Sequence, residues 1–244
     1  KFITEPTLVL GEAARSTWHP RRSLSLEEFN GKLWLIGGWS PIDGYDTDIF
    51  TSTDGINWQK RSAPLLVSPV EYGAREPITN SLYHRPSLLY EDGKFKIWFD
   101  YWADDIHGIS MGYAELSGAA SASTFLTGTP ALIRSGSNPA IYQWPNPAVV
   151  HAGSMYYSYA DPAQYYNANE SSWQASKITE AVSSDGIHWQ VRGYINPEPG
   201  CLATQIPETY YTGDGNVYVT YGCFTKFEPF LTSSSIRQMK RSLP

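Results

Sequence analysis

Apolar and polar residues alternate along this chain in short runs that are separated by glycine-containing turns. The stretch 204–224 contains an apolar run, a tight turn at Gly213-Asp214-Gly215 and a second alternating run. Alternation with a period of two is typical of a strand buried on one face, and Asp-Gly supplies the positive φ that hairpin turns require. This stretch therefore predicts a β-hairpin, with Glu208 near the start of its first strand.

The same hairpin pattern is repeated along the chain at a regular interval. It occurs at three earlier places, 21–39, 85–102 and 146–162. The four turn glycines lie 62, 60 and 62 residues apart, and they are Gly31, Gly93, Gly153 and Gly215. Further strand patterns follow each hairpin, and in 46–60 and 176–191 an Asp-Gly turn separates them. Four short strands per unit of about sixty residues are typical of propeller blades around a central channel.

The sequence therefore predicts an all-β protein with a β-propeller fold. No window shows the apolar spacing of an amphipathic helix, and 20 Gly and 17 Pro interrupt the chain. We expect one domain over 1–244, with units at approximately 18–80, 81–140, 141–200 and 201–244. The segment 1–17 is expected to close the ring as an additional strand. Two stacked β-sandwiches are the alternative, although they would not explain the regular spacing.

Charge and hydropathy restrict the partners that the chain can have. Lys and Arg number 18 against 24 Asp and Glu, and the net charge is −6. No basic cluster has the density that binding to a phosphate backbone requires. No run approaches the roughly 18 apolar residues of a membrane helix, and no signal-peptide pattern opens the sequence. We expect neither nucleic acid nor a membrane as a partner.

The two cysteines lie on the two arms of the last hairpin. Perfect register around its turn would place Cys223 opposite Thr204, about three residues from Cys201. A disulfide therefore needs a β-bulge, which Pro207 would favour. Two buried free thiols are the alternative.

At the level of strands and turns, nearly the whole chain resembles the five-bladed propeller glycoside hydrolases. These comprise family 43, with its arabinanases and β-xylosidases, and fructosidase-like relatives. Two Ser-x-Asp-Gly-x-x-Trp boxes, at 52–58 and 183–189, add to the resemblance. It implies five blades, although the four repeats also suit four blades or an absent fifth. It further implies a secreted or periplasmic enzyme that binds an oligosaccharide or polysaccharide in the central funnel.

In these hydrolases, carboxyl groups at the starts of the innermost strands flank the glycosidic bond. One protonates the leaving oxygen while another activates water or attacks directly. By resemblance, Glu208 occupies the position of the acid. The third-blade aspartate is replaced by Asn146, and the first-blade position lies within His19-Pro20-Arg21-Arg22-Ser23. These departures predict a different base, another reaction or a protein that only binds sugar.

The starts of the inner strands are expected to converge at one mouth of the channel, and the residues there form the candidate site. The candidate catalytic residues are Glu208 and His84. The candidate substrate-binding residues are Arg21, Arg22, Arg85, Asn146, Trp39, Trp102, Trp144 and His19. The arginines would hold the carboxylate of an acidic sugar, and the tryptophans would stack on sugar rings. Alternatively, the arginines form ion pairs between blades, and one of them would lower the pKa of Glu208.

The favoured function is a glycoside hydrolase that acts on a saccharide containing an acidic sugar. One alternative is a non-catalytic sugar-binding propeller. Another is a polysaccharide lyase, in which Arg21, Arg22 or Arg85 neutralises a uronate and His84 or a tyrosine takes the proton. No cofactor is expected, because no close-spaced set of metal ligands occurs. A structural metal ion in the channel is left open.

Overall fold

The computed structural model describes most of the strands that the sequence predicts. The described residues are 24–29, 31–36, 39–40, 44–45, 49–60, 84–104, 108–117, 131–132, 146–161, 177–196, 198–201, 203–226 and 232–243. Within them the chain forms 17 strands in antiparallel sheets and no helix. This confirms the all-β prediction. Accordingly, the described residues contain no helix that could span a membrane.

Four sheets follow one another along the chain. The first contains β1 (Ser25–Phe29), β2 (Lys32–Ile36), β5 (Ile49–Ser52) and β6 (Gln59–Lys60). A two-stranded ribbon between β2 and β5 is formed by β3 (Trp39–Ser40) and β4 (Gly44–Tyr45). The second sheet contains β7 (His84–Glu91), β8 (Lys94–Asp104), β9 (Gly108–Ser117) and β10 (Ala131–Leu132).

In the third and fourth sheets, each strand pairs antiparallel with the next strand along the chain. The third contains β11 (Ala148–Ala152), β12 (Met155–Ala160), β13 (Ile178–Ser183) and β14 (Gln190–Ile195). The fourth contains β15 (Ala203–Tyr211), β16 (Asn216–Lys226) and β17 (Thr232–Ser242). No sheet closes on itself within the described ranges.

The predicted hairpin joins the first two strands of every sheet. Phe29 pairs with Lys32 across one turn, and Glu91 pairs with Lys94 across the next. The turn glycines all have positive φ, at Gly31 (67°), Gly93 (73°), Gly153 (67°) and Gly215 (76°). Such angles are accessible to glycine without steric cost, so the glycines determine where the chain reverses.

The fourth sheet differs from the sequence prediction in two respects. We expected two strands, at 230–235 and 236–240, but β17 is one strand that pairs with β16 in constant register. Serine does not favour the positive φ that a tight turn requires. The three serines at 233–235 therefore do not divide the strand. In addition, β15 begins at Ala203 and not at Ile206, and Pro207 lies inside the strand at a bulge. Glu208 therefore lies in the second half of β15, not near its start.

A disulfide joins Cys201 to Cys223, with the two Cα atoms 5.3 Å apart. Thr204 pairs with Cys223, as perfect register would give, but the pairs beside the turn, such as Tyr211 with Val217, are one residue out of that register. The predicted bulge is also present, between Gln205 and Glu208. Before the strand, the Cys201 N–H donates to the Glu198 carbonyl oxygen at 2.9 Å. This turn brings Cys201 back towards β16.

The first strands of successive sheets are neighbours in space: β1 lies beside β7, β7 beside β11, and β11 beside β15. Between the first two sheets, the ring of Phe29 lies 3.9 Å from Tyr90 and 4.9 Å from Phe95. Buried clusters centred on Trp98 and on Tyr159 fill the next two interfaces. Sheets packed face to face around their first strands are consistent with a propeller-like fold. The expected closing strand, 1–17, lies outside the described residues.

The two Ser-x-Asp-Gly-x-x-Trp boxes have the same hydrogen bonds. In the second box, the Gly186 N–H donates to Ser183 Oγ at 2.9 Å and Trp189 Nε1 donates to the Gly186 carbonyl at 3.0 Å. The equivalent bonds in the first box, at Gly55 and Trp58, are 2.9 and 3.1 Å long. These contacts close the turns before β6 and β14, so the boxes have a structural role.

Candidate functional site

The first strands of all four sheets line one cavity of about 630 Å³. Its walls are formed by 24–27, 87–91, 149–151 and 208–211. Each of these ranges belongs to the first strand of a sheet or lies directly before it. The hairpins that the glycine turns create therefore determine which side chains reach the cavity. Three carboxyl groups and one imidazole are among them, those of Glu27, Glu91, Glu208 and His151.

Glu208 lies on β15 and its side chain is exposed towards the cavity. Neighbouring protein nevertheless surrounds the carboxyl group closely enough to reduce its hydration. Loss of hydration accordingly raises the pKa of Glu208 to about 7. A salt bridge with arginine would have shifted this pKa in the opposite direction.

Glu27 on β1 is a second carboxyl group with reduced hydration. Burial raises its pKa to about 7, although a hydrogen bond from the Tyr90 backbone N–H acts in the opposite direction. The charge of neighbouring Glu28 adds to the increase. The cavity therefore contains two carboxyl groups that retain protons close to neutral pH.

Glu91 at the end of β7 has several partners and the opposite pKa shift. Its Oε1 lies 2.9 Å from Lys96 Nζ and accepts a hydrogen bond from the Tyr156 hydroxyl. Its Oε2 lies 2.7 Å from His151 Nδ1. Burial acts to raise the pKa of Glu91, but these hydrogen bonds and the charges of Lys96 and His151 lower it overall. Glu91 is therefore ionised at neutral pH and connects the second sheet to the third.

The fourth sheet has two unlike faces, and Glu208 lies on the polar one. Strand pairing places six residues on this surface, here called the outer face: Glu208, Tyr210, Tyr218, Thr220, Gln238 and Lys240. The rings of Tyr210 and Tyr218 stack 5.0 Å apart, and Gln238 Nε2 donates to the Tyr210 hydroxyl at 3.0 Å. The opposite face is buried against the third sheet. The outer face meets the cavity at Glu208 and Tyr210.

Asn146 is the sequence-predicted residue with the best-defined surroundings after Glu208. It is buried, has a positive φ of 56° and donates a hydrogen bond from Nδ2 to Asp161. It precedes β11 and is not among the described residues that line the cavity. Its substrate-binding role stays a prediction.

For the other predicted site residues, the structure describes only the backbone or does not describe the residue. The backbones of Trp39, His84, Arg85 and Trp102 lie on β3, β7 and β8, and their side chains are outside the description. His19, Arg21, Arg22 and Trp144 lie outside the described residues altogether. Their roles stay predictions as well.

Sequence reasoning missed Glu27, Glu91 and His151 as site residues. A signal for two of them was present, because Glu91 and His151 each lie two positions before a turn glycine. Equivalent positions in adjacent repeats are expected to be neighbours in space. Among the residues that the structure describes, no group of three or more His, Cys, Asp and Glu could hold a metal ion.

Comparisons with known proteins identify the fold. No family model matches the sequence, and no curated protein matches it. An endo-arabinase from Bacteroides thetaiotaomicron aligns with a TM-score of 0.64 at 9% identity, over 92% of this chain and 76% of that one. A glycosyl hydrolase from Bacteroides ovatus gives 0.61 at 12% identity, over 92% and 71%.

A third similar structure comes from glycoside hydrolase family 130, a family of mannoside phosphorylases that also contains hydrolases. It aligns with a TM-score of 0.61 at 11% identity, over 92% of this chain and 70% of that one. At such low identity the similarity concerns the fold alone, and it does not single out family 43. This chain therefore shares the fold of several groups of glycoside hydrolases.

Proposed function

We propose that this protein is a glycoside hydrolase that cleaves an oligosaccharide or polysaccharide in the cavity, with Glu208 as the proton donor. The observation that carries the proposal is the place of Glu208 on the wall of the cavity, where reduced hydration raises its pKa to about 7. A carboxyl group with this pKa retains a proton near neutral pH and can transfer it to a leaving oxygen. The glycoside hydrolases among the similar structures support the proposal by analogy of fold.

The cavity suits a saccharide in size and lining. Its volume of about 630 Å³ lies within the usual range of small-molecule sites, which is roughly 300–1,000 Å³. Tyr210 lines it beside Glu208, on the same face of β15. Tyrosine rings offer a flat apolar surface to a sugar ring and a hydroxyl group to its polar edge.

The substrate that we propose contains an acidic sugar. The support is in the sequence, where Arg21, Arg22 and Arg85 fall at the predicted starts of inner strands. Guanidinium groups recognise carboxylates through paired hydrogen bonds. Tryptophans 39, 102 and 144 are proposed to stack on neighbouring sugar rings.

We place the chain in the propeller-type glycosidase superfamily, as one domain with one blade per sheet. The shared cavity and the succession of first strands support this arrangement. The disulfide supports a secreted or periplasmic location, because such bonds persist in oxidising compartments.

A non-catalytic sugar-binding protein is the second candidate. It is favoured by Asn146, which stands where the resemblance implies a carboxylate and which bonds to buried Asp161. An amide cannot serve as the base or nucleophile that hydrolysis requires. Binding without turnover is therefore the outcome that would support this alternative.

Incubation with a panel of neutral and acidic plant and algal oligosaccharides tests the proposal. New reducing ends without ultraviolet absorbance support hydrolysis, whereas absorbance from unsaturated uronates indicates a lyase. Binding with neither product supports the sugar-binding alternative. If no member of the panel binds or is cleaved, the proposed function is wrong.

The substitution Glu208→Gln tests the assignment of the acid. The amide has nearly the same shape but no proton to transfer, so we expect kcat to fall by about 10²- to 10⁴-fold. The affinity for the substrate, measured by calorimetry, should stay within a few-fold of the wild type. Glu28→Gln is the matched control, because exposed Glu28 does not line the cavity. Unchanged turnover in Glu208→Gln would remove Glu208 from the mechanism.

A further inference from the structure

A histidine and a carboxylate from different sheets meet at the cavity wall. His151 Nδ1 lies 2.7 Å from Glu91 Oε2, and both residues line the cavity. The His151 ring stacks on Tyr156, with 4.3 Å between centroids and 11° between planes. Glu91 restrains one edge of the imidazole and Tyr156 covers one of its faces. The ring is therefore held in one orientation.

The hydrogen-bond partner of His151 determines its tautomer. Ionised Glu91 has no hydrogen to donate, so His151 Nδ1 carries the hydrogen of this bond. In the neutral imidazole the lone pair then lies on Nε2. His151 Nε2 forms no hydrogen bond within the described part of the chain. It is available to accept a proton.

The other carboxyl groups of the cavity are poorly suited to this role. Glu208 is already assigned as the proton donor, and hydrolysis needs a second group that accepts a proton. Both Glu91 oxygens are occupied, one by Lys96 and Tyr156 and the other by His151. Glu27 accepts the Tyr90 N–H, and reduced hydration disfavours its ionised form.

We infer that His151 is the general base of the proposed hydrolysis and that Glu91 is its positioning residue. This inference rests on the proposed function and identifies the base that the sequence leaves unassigned. The arrangement, in which a carboxylate orients an imidazole through Nδ1, is the one that activates nucleophiles in hydrolytic triads. Here the nucleophile is water.

The reaction is a single displacement. As the oxygen of water bonds to the anomeric carbon, one water proton moves to His151 Nε2. The glycosidic carbon–oxygen bond breaks, and its electron pair goes to the leaving oxygen, which takes the proton of Glu208. His151 then releases its proton to solvent and Glu208 regains one, so the net reaction consumes one water. The anomeric configuration is inverted.

The main test uses His151→Ala with an oligosaccharide of the panel that the wild type cleaves. We expect kcat to fall by about 10²-fold or more, and added imidazole to restore about tenfold of this loss by replacing the missing base. His188→Ala is the matched control. Its Nδ1 also lies 2.7 Å from a carboxylate, Asp185 Oδ2, but its side chain is 86% exposed and does not line the cavity. Its kcat should equal that of the wild type.

A second variant, Glu91→Gln, tests the positioning role. We expect a lower kcat with KM nearly unchanged, because the substrate still binds while the imidazole is free to rotate. Glu91→Asp should recover part of kcat. If Glu91→Gln raised KM and left kcat unchanged, the positioning role of Glu91 would be contradicted. Thermal unfolding of each variant shows whether the native structure persists.

The outcomes separate the two proposals. If the wild type cleaves no oligosaccharide, the proposed hydrolysis and the assignment of its base both fail. If the wild type cleaves and His151→Ala retains its kcat, only the assignment of the base is wrong. A loss of kcat that imidazole does not restore, or a product of retained configuration seen by NMR, also overturns it.

Discussion

At the scale of single residues, the surroundings of each glutamate in the cavity determine the direction of its pKa shift. Glu208 and Glu27 have pKa values of about 7 because protein displaces water from around them. Glu91, in the same cavity, has a lowered pKa because Tyr156 and Lys96 donate to it. Opposite pKa shifts of carboxyl groups within one site are the usual basis for assigning an acid and an ionised group.

The pH dependence of activity follows from the pKa of Glu208. The acid works only while protonated, so kcat/KM should fall about tenfold for each pH unit above about 7. The measurement is kcat/KM between about pH 5 and pH 9, on an oligosaccharide with a poor leaving group. An aryl glycoside with a good leaving group is the control, because its departure needs little protonation and its alkaline decrease should be much smaller. An identical alkaline decrease for both substrates would contradict the acid role of Glu208.

At the scale of elements, the second box closes the turn before β14 and also secures the second sheet to the third. Trp98 Nε1 on β8 donates to the Gly186 carbonyl at 2.8 Å. The indole packs so closely that a Cβ atom at Gly186 would lie 2.9 Å from its Cζ2. The turn therefore needs glycine both for its φ of 77° and for this contact.

Gly186→Ala should lower the free energy of unfolding by about 2–4 kcal/mol, through backbone strain and displacement of Trp98. Gly153→Ala is the matched control, because Gly153 has a φ of 67° but no atom within 4 Å of the added Cβ. It should cost only about 1 kcal/mol, from backbone strain. Urea unfolding followed by tryptophan fluorescence measures both. Equal losses would show that the contact with Trp98 is unimportant.

Sequence reasoning succeeded where the relevant interactions are local. The hairpins depend on turn glycines, and the boxes depend on bonds such as Ser183 Oγ to Asp185, two residues away. A bulge was expected only if Cys201 and Cys223 form a disulfide, and the structure contains both. All these signals lie within a few residues of the structure that they specify or within a single hairpin.

The candidate site was harder to predict, because it forms between sheets. Glu91 and His151 are 60 residues apart, and only the packing of β7 beside β11 joins them. The pKa of Glu208 likewise depends on the surrounding walls and not on adjacent residues. The strand run at 230–240 was divided incorrectly, because pairing with β16 outweighs weak local preferences.

At the scale of the whole molecule, a partly buried ion pair connects the last strand to the third sheet. Arg241 Nη2 on β17 lies 2.7 Å from Glu180 Oε2 on β13, and the Tyr159 hydroxyl donates to Glu180 Oε1 at 3.0 Å. The Glu180 side chain is only 10% exposed. Its charge would be costly without a partner.

Arg241→Ala should therefore lower the free energy of unfolding by about 2 kcal/mol, since it leaves a buried carboxylate without its cation. Adding Glu180→Gln should recover part of this loss, because the amide carries no charge. Arg237→Ala is the control on the same strand, where an exposed pair with Glu198 at 3.9 Å should contribute at most about 0.5 kcal/mol. Additive effects of Arg241→Ala and Glu180→Gln would show that the two residues are not coupled.

The unlike faces of the fourth sheet have a consequence for how this protein can diverge. Its apolar face supports the core, whereas its outer face presents Glu208 and Tyr210 to the cavity and packs little apolar surface. Substitutions on a surface of this kind usually change stability by less than about 0.5 kcal/mol. Substitutions at Tyr210 and its neighbours on the outer face can therefore change ligand preference with little effect on the stability of the fold. Selection can reshape this wall of the cavity while the opposite face of the same strands remains constrained.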